Sequence, residues 1–198
     1  MKTKILLFII AFGYAFISLA NNGDSGKNIS KPRTRINPLH ANGFNYVSFG
    51  LEIGPILYDF GLYSLYYGLP VKVYLGRQKK GRFIVRSGIH FFPVPSNNLI
   101  PEIKSINKTS IPLAVGYRRN IHEWYMEGSL GIGASIFRVK FTDPSRTTSK
   151  SSFREINYGL EVGRQFGDLD IGLVVYNTGP IPFNMVFAGL KGSYRLKW

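Results

Sequence analysis

The chain has no cysteine, only three histidines and, past residue 17, no apolar run that approaches helix-spanning length. Without cysteine there are no disulfides, no thiolate metal sites and no lipid-bearing cysteine behind a leader. His40, His90 and His122 are isolated from one another, and the acids are scattered, so no metal-ligand spacing occurs and no metal or cofactor is expected. A membrane-embedded form of the mature chain would have to cross as strands, because no helix is available. Acidic residues are also scarce: 11 Asp and Glu stand against 25 Lys and Arg, giving a formal charge of +14 and a pI near 10.0. Such a balance suits nucleic acid, an anionic membrane surface or acidic ligands, and location decides between them.

The start of the chain supplies that location. Lys2 and Lys4 precede an apolar stretch from Ile5 to Ile17, and Ser18-Leu19-Ala20 offers the small residues of a cleavage site. Residues 1–20 therefore read as a secretory signal peptide. Residues 21–43 are polar and basic with little periodicity, as in a flexible periplasmic leader. Export removes nucleic acid from the partners.

Residues 44–198 are rich in what strands and turns need: 22 glycines lie in the whole chain, and aromatics reach 15%. Period-two alternation recurs eight times, beginning near Phe44, Tyr67, Phe83, Thr109, Glu123, Glu155, Asp170 and Met185. Long connections at 55–66, 94–108, 141–152 and 177–184 alternate with short ones at 78–81, 119–122 and 166–169. That asymmetry predicts an all-β fold: an eight-stranded antiparallel up-and-down transmembrane β-barrel. A soluble lipocalin-like barrel has the same period with its apolar face inward. Two features favour the membrane form. Glycines such as Gly50, Gly68, Gly131, Gly133, Gly159 and Gly163 share the polar face, where a narrow lumen needs small residues. That face also carries both charge signs, in Glu52, Lys72, Arg86, Glu127, Glu155 and Glu161. With His90, the expected lumen cluster is Glu52, Lys72, Arg86, His90, Glu127 and Glu161.

Ile111-Pro112-Leu113-Ala114-Val115-Gly116-Tyr117, with Trp124-Tyr125-Met126-Glu127-Gly128-Ser129-Leu130-Gly131 after it, resembles the central hairpin of Bacteroidetes outer-membrane β-barrel proteins of the PorT-like and OmpA/OmpX-like type. Asn157-Tyr158-Gly159-Leu160-Glu161-Val162-Gly163 and Leu173-Val174-Val175-Tyr176-Asn177-Thr178-Gly179 extend the resemblance. The alternating Tyr194, Leu196 and Trp198 are similar to the C-terminal signal that the barrel assembly machinery reads in such proteins. The resemblance implies an outer-membrane location with long loops outside the cell, and some members are tied to protein secretion.

Little in the sequence points to catalysis. His90 and Ser96 do not match the tighter His-to-Ser motif of lipid A deacylases, and the prolines Pro93 and Pro95 intervene. Gly128-Ser129-Leu130-Gly131-Ile132-Gly133 lies within a strand pattern and opens no helix, so it is not a phosphate-binding loop. No catalytic residue is assigned. Lys104, Lys108, Arg146, Lys150 and Arg154 fall in or beside the external loops, where lipopolysaccharide phosphates would lie. Lys79, Lys80, Arg82, Arg118 and Arg119 fall at the periplasmic end, near anionic headgroups. Tyr66, Tyr67, Phe91, Tyr117, Trp124 and Trp198 suit interfacial girdles. The expected function is a non-enzymatic scaffold, adhesin or accessory of an envelope or secretion complex. A narrow channel or small-ligand barrel is the alternative, and a lipid A-modifying enzyme ranks below it.

Overall fold

In the computed structural model, residues 45–59, 62–76, 81–179 and 185–197 are described. The expected signal, the leader, Lys79, Lys80 and Trp198 lie outside them. Eight strands run in chain order: β1 (Tyr46–Tyr58), β2 (Leu65–Leu75), β3 (Gly81–Pro93), β4 (Ile103–Ile121), β5 (Trp124–Phe141), β6 (Ser149–Phe166), β7 (Leu169–Thr178) and β8 (Met185–Lys197). Every strand pairs antiparallel with its chain neighbours, and β1 pairs with β8, so the sheet is a closed up-and-down barrel. Closure leaves no sheet edge along the wall.

Side chains alternate across that wall as the pleat requires. On β4, Ile111, Leu113, Val115 and Tyr117 point outward and are exposed, while Ser110, Pro112, Ala114 and Arg118 point inward and are buried. Polarity is inverted relative to a water-soluble barrel. The largest fully buried side chains include Arg82, Arg86, Arg118, Lys72 and Lys191, whereas Leu51 is 68% exposed and Leu130, Ile132 and Leu190 are each 60% exposed.

Two prolines sit in the middle of strands without breaking the barrel. Pro70 keeps its register with Gly88 on β3, and bridging to β1 lapses beside it, between Val71 and Gly68. Pro112 keeps its register with Gly133 on β5, and bridging to β3 lapses between Leu113 and Ser110. Each ring removes one N–H, so each costs the ladder on one side alone.

The connections at the lower end, beyond β2, β4 and β6, are short. His122 and Glu123 alone join β4 to β5, and His122 takes φ 59° to do so. At the upper end the ladder runs further than the sequence suggests. β4 begins at Ile103, not Thr109, and β5 and β6 stay paired up to Val139 and Ser149. Much of what reads as loop at 94–108 and 141–152 is therefore strand, and β4, β5 and β6 flare above the rest of the wall. On β5 and β6 the alternation weakens there because neither face is buried, whereas on β4 Ile106 and Lys108 still turn inward and are buried. A short 3-10 turn, Ser96–Asn98, bridges β3 and β4.

Candidate functional site

The lumen is filled by a charged network whose members come from every strand. Lys72 on β2 bonds Glu127 and Glu161, and Lys191 Nζ reaches Glu161 Oε1 at 2.7 Å. Tyr125 Oη donates to the same Glu161 oxygen at 2.8 Å. Toward the lower end, Arg118 Nη1 bonds Glu127 Oε1 at 2.9 Å and Asp170 Oδ2 at 2.7 Å, and its guanidinium lies 3.7 Å from the Tyr125 ring centroid. Arg195 forms a second ion pair with Asp170 at 3.2 Å. Toward the upper end, Glu52 accepts from Tyr176 Oη and lies 3.2 Å from His90 Nε2, and Glu155 accepts from Lys108 at 2.6 Å. These groups are shut away from water. The attraction between opposite charges is then strong, and a charge left alone is costly.

Among the upper ionic groups packs an aromatic plug of Tyr66, Phe92, Tyr176 and Phe187, with Met185 and Val174, its rings against His90 and beneath Lys108. The rings of Tyr66 and Phe187 approach to 4.4 Å, and those of Phe92 and Phe187 to 5.2 Å. Glycine makes room for these large groups. A Cβ at Gly159 would meet Tyr176 Cδ1 at 2.0 Å, and one at Gly163 would meet Tyr125 Oη at 2.5 Å.

All six residues of the expected lumen cluster point inward, but they do not form one group. Lys72, Glu127 and Glu161 meet; Glu52 pairs with His90; Arg86 stands apart on Asn157. Asp170, Lys191 and Arg195 complete the network, although the sequence pattern alone does not single them out. Their alternation with Ile171, Leu190 and Leu196 is the signal that could have found them.

Three expectations need correction. Lys108 does not reach the outer surface, because its inward position on β4 holds it 5% exposed on Glu155. Arg82 and Arg118, opposite each other across β3 and β4, also face inward and are buried, so neither meets headgroups. Tyr66 is fully buried in the plug and belongs to no girdle. The other described aromatics expected there, Tyr67, Phe91, Tyr117 and Trp124, lie on the outward face. Phe83 and Tyr117 meet at 5.5 Å near the lower end beside Trp124, and Tyr67 and Phe91 stack at 5.5 Å near the upper end. The stretch from Phe83 to Phe91, at about 3.4 Å per residue and tilted by about 40°, spans roughly 20 Å of apolar belt.

Just above that belt the outward face turns basic. Arg138 and Lys140 on β5, and Lys150 and Arg154 on β6, are all exposed on the face that carries Leu130, Ile132 and Ile156 lower down. Arg138 stands directly opposite Lys150. Like charges in that position repel unless something neutralises them. Lys104 is exposed at the irregular start of β4. Arg146 is locally balanced: it stacks 5.4 Å over Phe141 and shares a surface hollow with Glu102 and Asp143. The Asp143 carboxyl accepts from the Ser145 hydroxyl at 2.7 Å and from its N–H at 2.9 Å, and these bonds hold it below the usual carboxylate range.

His90 lies opposite Ser110 on β4 and beside Glu52, an arrangement with the components of an acid–base–nucleophile set. These side chains are at most 2% exposed. Among the described residues no group of three His, Asp or Glu could hold a metal ion. No described helix is long and apolar enough to cross a membrane.

No family model matches the chain, and no curated protein matches it. Solved structures do. Ail, the attachment invasion locus protein of Yersinia pestis, superposes with a TM-score of 0.55 at 15% identity, over 78% of this chain and 99% of Ail. Ail in complex with the heparin analogue sucrose octasulfate gives 0.57 at 16% identity, with the same coverage. A major outer membrane protein from Thermus thermophilus gives 0.56 at 13% identity, over 77% of this chain and 99% of that one. At such identities the likeness establishes the eight-stranded barrel fold.

Proposed function

We propose that the chain is a non-enzymatic integral barrel of the bacterial outer membrane, an envelope scaffold or adhesin whose flared sheet binds lipopolysaccharide phosphates. The observation that carries the location is the inverted polarity: charges and tyrosines pack inside, while an aliphatic belt between two aromatic girdles faces out. In water such a belt would be a large exposed patch with no covering, and in lipid it is the required surface. With the β1 end in the periplasm, the β4–β6 flare stands outside the cell.

The cations of the flare support the ligand. Arg154 lies two residues above Ile156, or about 5 Å nearer the outside along a strand tilted by about 40°. That height is where the phosphates of neighbouring lipid would lie. The opposed Arg138 and Lys150 gain from any dianionic group between them, and arginine holds phosphate through two parallel bonds. Ail, similar in fold, has been seen with a sulfated sugar analogue, which is a precedent for polyanions on a barrel of this shape. Exposed Tyr194 and Leu196 remain suited to the barrel assembly machinery. Assignment to the PorT-like barrels, and a link to secretion, rest on the residue patterns of β4 to β7.

Retention of lipopolysaccharide through purification, read by native mass spectrometry, tests the ligand. Parent protein carries it, and the quadruple variant R138A/K140A/K150A/R154A loses most of it, as does parent protein offered dephosphorylated lipid A. Equal retention in all three would remove the phosphate reading. Two further measurements address the rivals. The filled lumen supports a non-conducting barrel, so steady open currents in planar bilayers would favour the channel. A changed lipid A mass spectrum in cells that gain the protein would favour an enzyme.

A further inference from the structure

Among the described residues the buried ions of the lumen do not balance. Five carboxylates (Glu52, Glu127, Glu155, Glu161 and Asp170) face seven Lys and Arg side chains. Each carboxylate is already engaged, by His90 and Tyr176, by Lys72 and Arg118, by Lys108 and Thr178, by Lys72 and Lys191, and by Arg118 and Arg195 respectively. Arg86 is only 1% exposed and bonds a neutral group, Asn157 Oδ1, while Tyr176 covers its face at 4.1 Å. Its Nε and Nη1 have no partner among the described residues.

Register explains how this comes about. Arg86, Ala114, Gly131 and Asn157 form one row across β3, β4, β5 and β6. The guanidinium crosses the two small residues to reach Asn157. One row higher, Gly133 leaves space: an added Cβ there would meet nothing closer than Ser110 Oγ at 3.5 Å. The Ser110 hydroxyl, Asn157 Nδ2 and His90 Nδ1 on the same wall also have no partner among the described residues. Water would satisfy the hydroxyl and the amide but would leave the guanidinium charge uncompensated. An anion does both. The open Cβ position at Gly133 marks a gap in the packing of this wall, next to the row that holds Arg86.

We propose that the lumen binds one small monovalent anion of the chloride class, held by Arg86 Nε and Nη1 with Asn157 and Ser110 beside Gly133. The site needs a closed lumen and is independent of what the flare binds.

Crystals grown in bromide in place of chloride, measured at the bromine edge, test it directly. An anomalous peak in contact with the Arg86 guanidinium is expected. Its absence, or peaks confined to exposed cations, overturns the proposal. Urea unfolding of the full barrel in vesicles gives a second readout, with chloride exchanged for gluconate at constant ionic strength. Where the site is near saturation, each tenfold rise in chloride raises the folding equilibrium constant up to about tenfold. R86Q should abolish that dependence. G133V keeps the charge but fills the space, so it should abolish it too, and it serves if R86Q fails to fold. Parent stability that ignores chloride, or an undiminished dependence in G133V, overturns the assignment.

Discussion

Replacing Glu161 with glutamine probes whether the four central ions of the lumen, Lys72, Lys191, Glu127 and Glu161, behave as a dry, mutually neutralising set. Glu161 holds Lys191 at 2.7 Å and Tyr125 at 2.8 Å, and it shares Lys72 with Glu127. In the native state Lys72, Lys191, Glu127 and Glu161 sum to zero, and E161Q leaves that foursome at +1. Lys191 loses the carboxylate it rests on, and the new amide presents N–H to an ammonium. At 2.7 Å and an effective dielectric near 20, the lost attraction to Lys191 alone is about 6 kcal/mol gross. Relief from desolvating the carboxylate offsets part of this, so the net loss should be about 3–5 kcal/mol, the range for breaking a buried pair. That is roughly a hundredfold to several-thousandfold in the folding equilibrium constant. Urea unfolding in phospholipid vesicles, followed by tryptophan fluorescence and by heat-dependent gel migration, reads the difference. K191M in the E161Q background removes the stranded ammonium and should recover part of the loss. E161Q within about 0.5 kcal/mol of the parent, with no coupling to K191M, would mean that water screens the lumen, and the reasoning would fall.

Three other substitutions test separate parts of the structure by the same unfolding measurement. L113R places a charge in the middle of the outward belt and should cost about 2–4 kcal/mol in vesicles; a neutral effect would deny that this face meets lipid. G159V should cost about 1–3 kcal/mol, because its Cβ would enter the Tyr176 ring and push the aromatic plug aside. H122G should stabilise by up to about 1 kcal/mol, since glycine adopts the positive φ that His122 holds in the β4–β5 turn without steric cost; destabilisation would indicate a role for the imidazole itself.

The barrel is legible in the sequence because a pleated wall between two solvents writes its period into every strand. Ile111, Leu113, Val115 and Tyr117 against Ala114 and Arg118 suffice to orient β4. The flare is not legible, because the stretch of β5 and β6 above the belt has neither lipid nor lumen beside it to enforce alternation. Arg138 and Lys140 consequently do not stand out within their strand, and Lys108 reads as loop although its parity puts it on Glu155. Which lumen charges pair is equally hidden. Arg118 joins Asp170 across 52 residues of chain, and no local pattern reports that. The aromatic plug escapes for a related reason: Tyr66 and Phe187 sit at strand ends, where an aromatic fits a girdle and an interior equally well.

Everything rests on which face of the wall meets lipid. With no native cysteine, single-cysteine variants at successive positions from Ile111 to Tyr117 can be spin-labelled without background and reconstituted in bilayers. Collision with oxygen should then peak at 111, 113, 115 and 117, and collision with a water-soluble nickel complex should stay low there. Strong nickel collision at those odd positions, with oxygen maxima at 112, 114 and 116, would contradict the account.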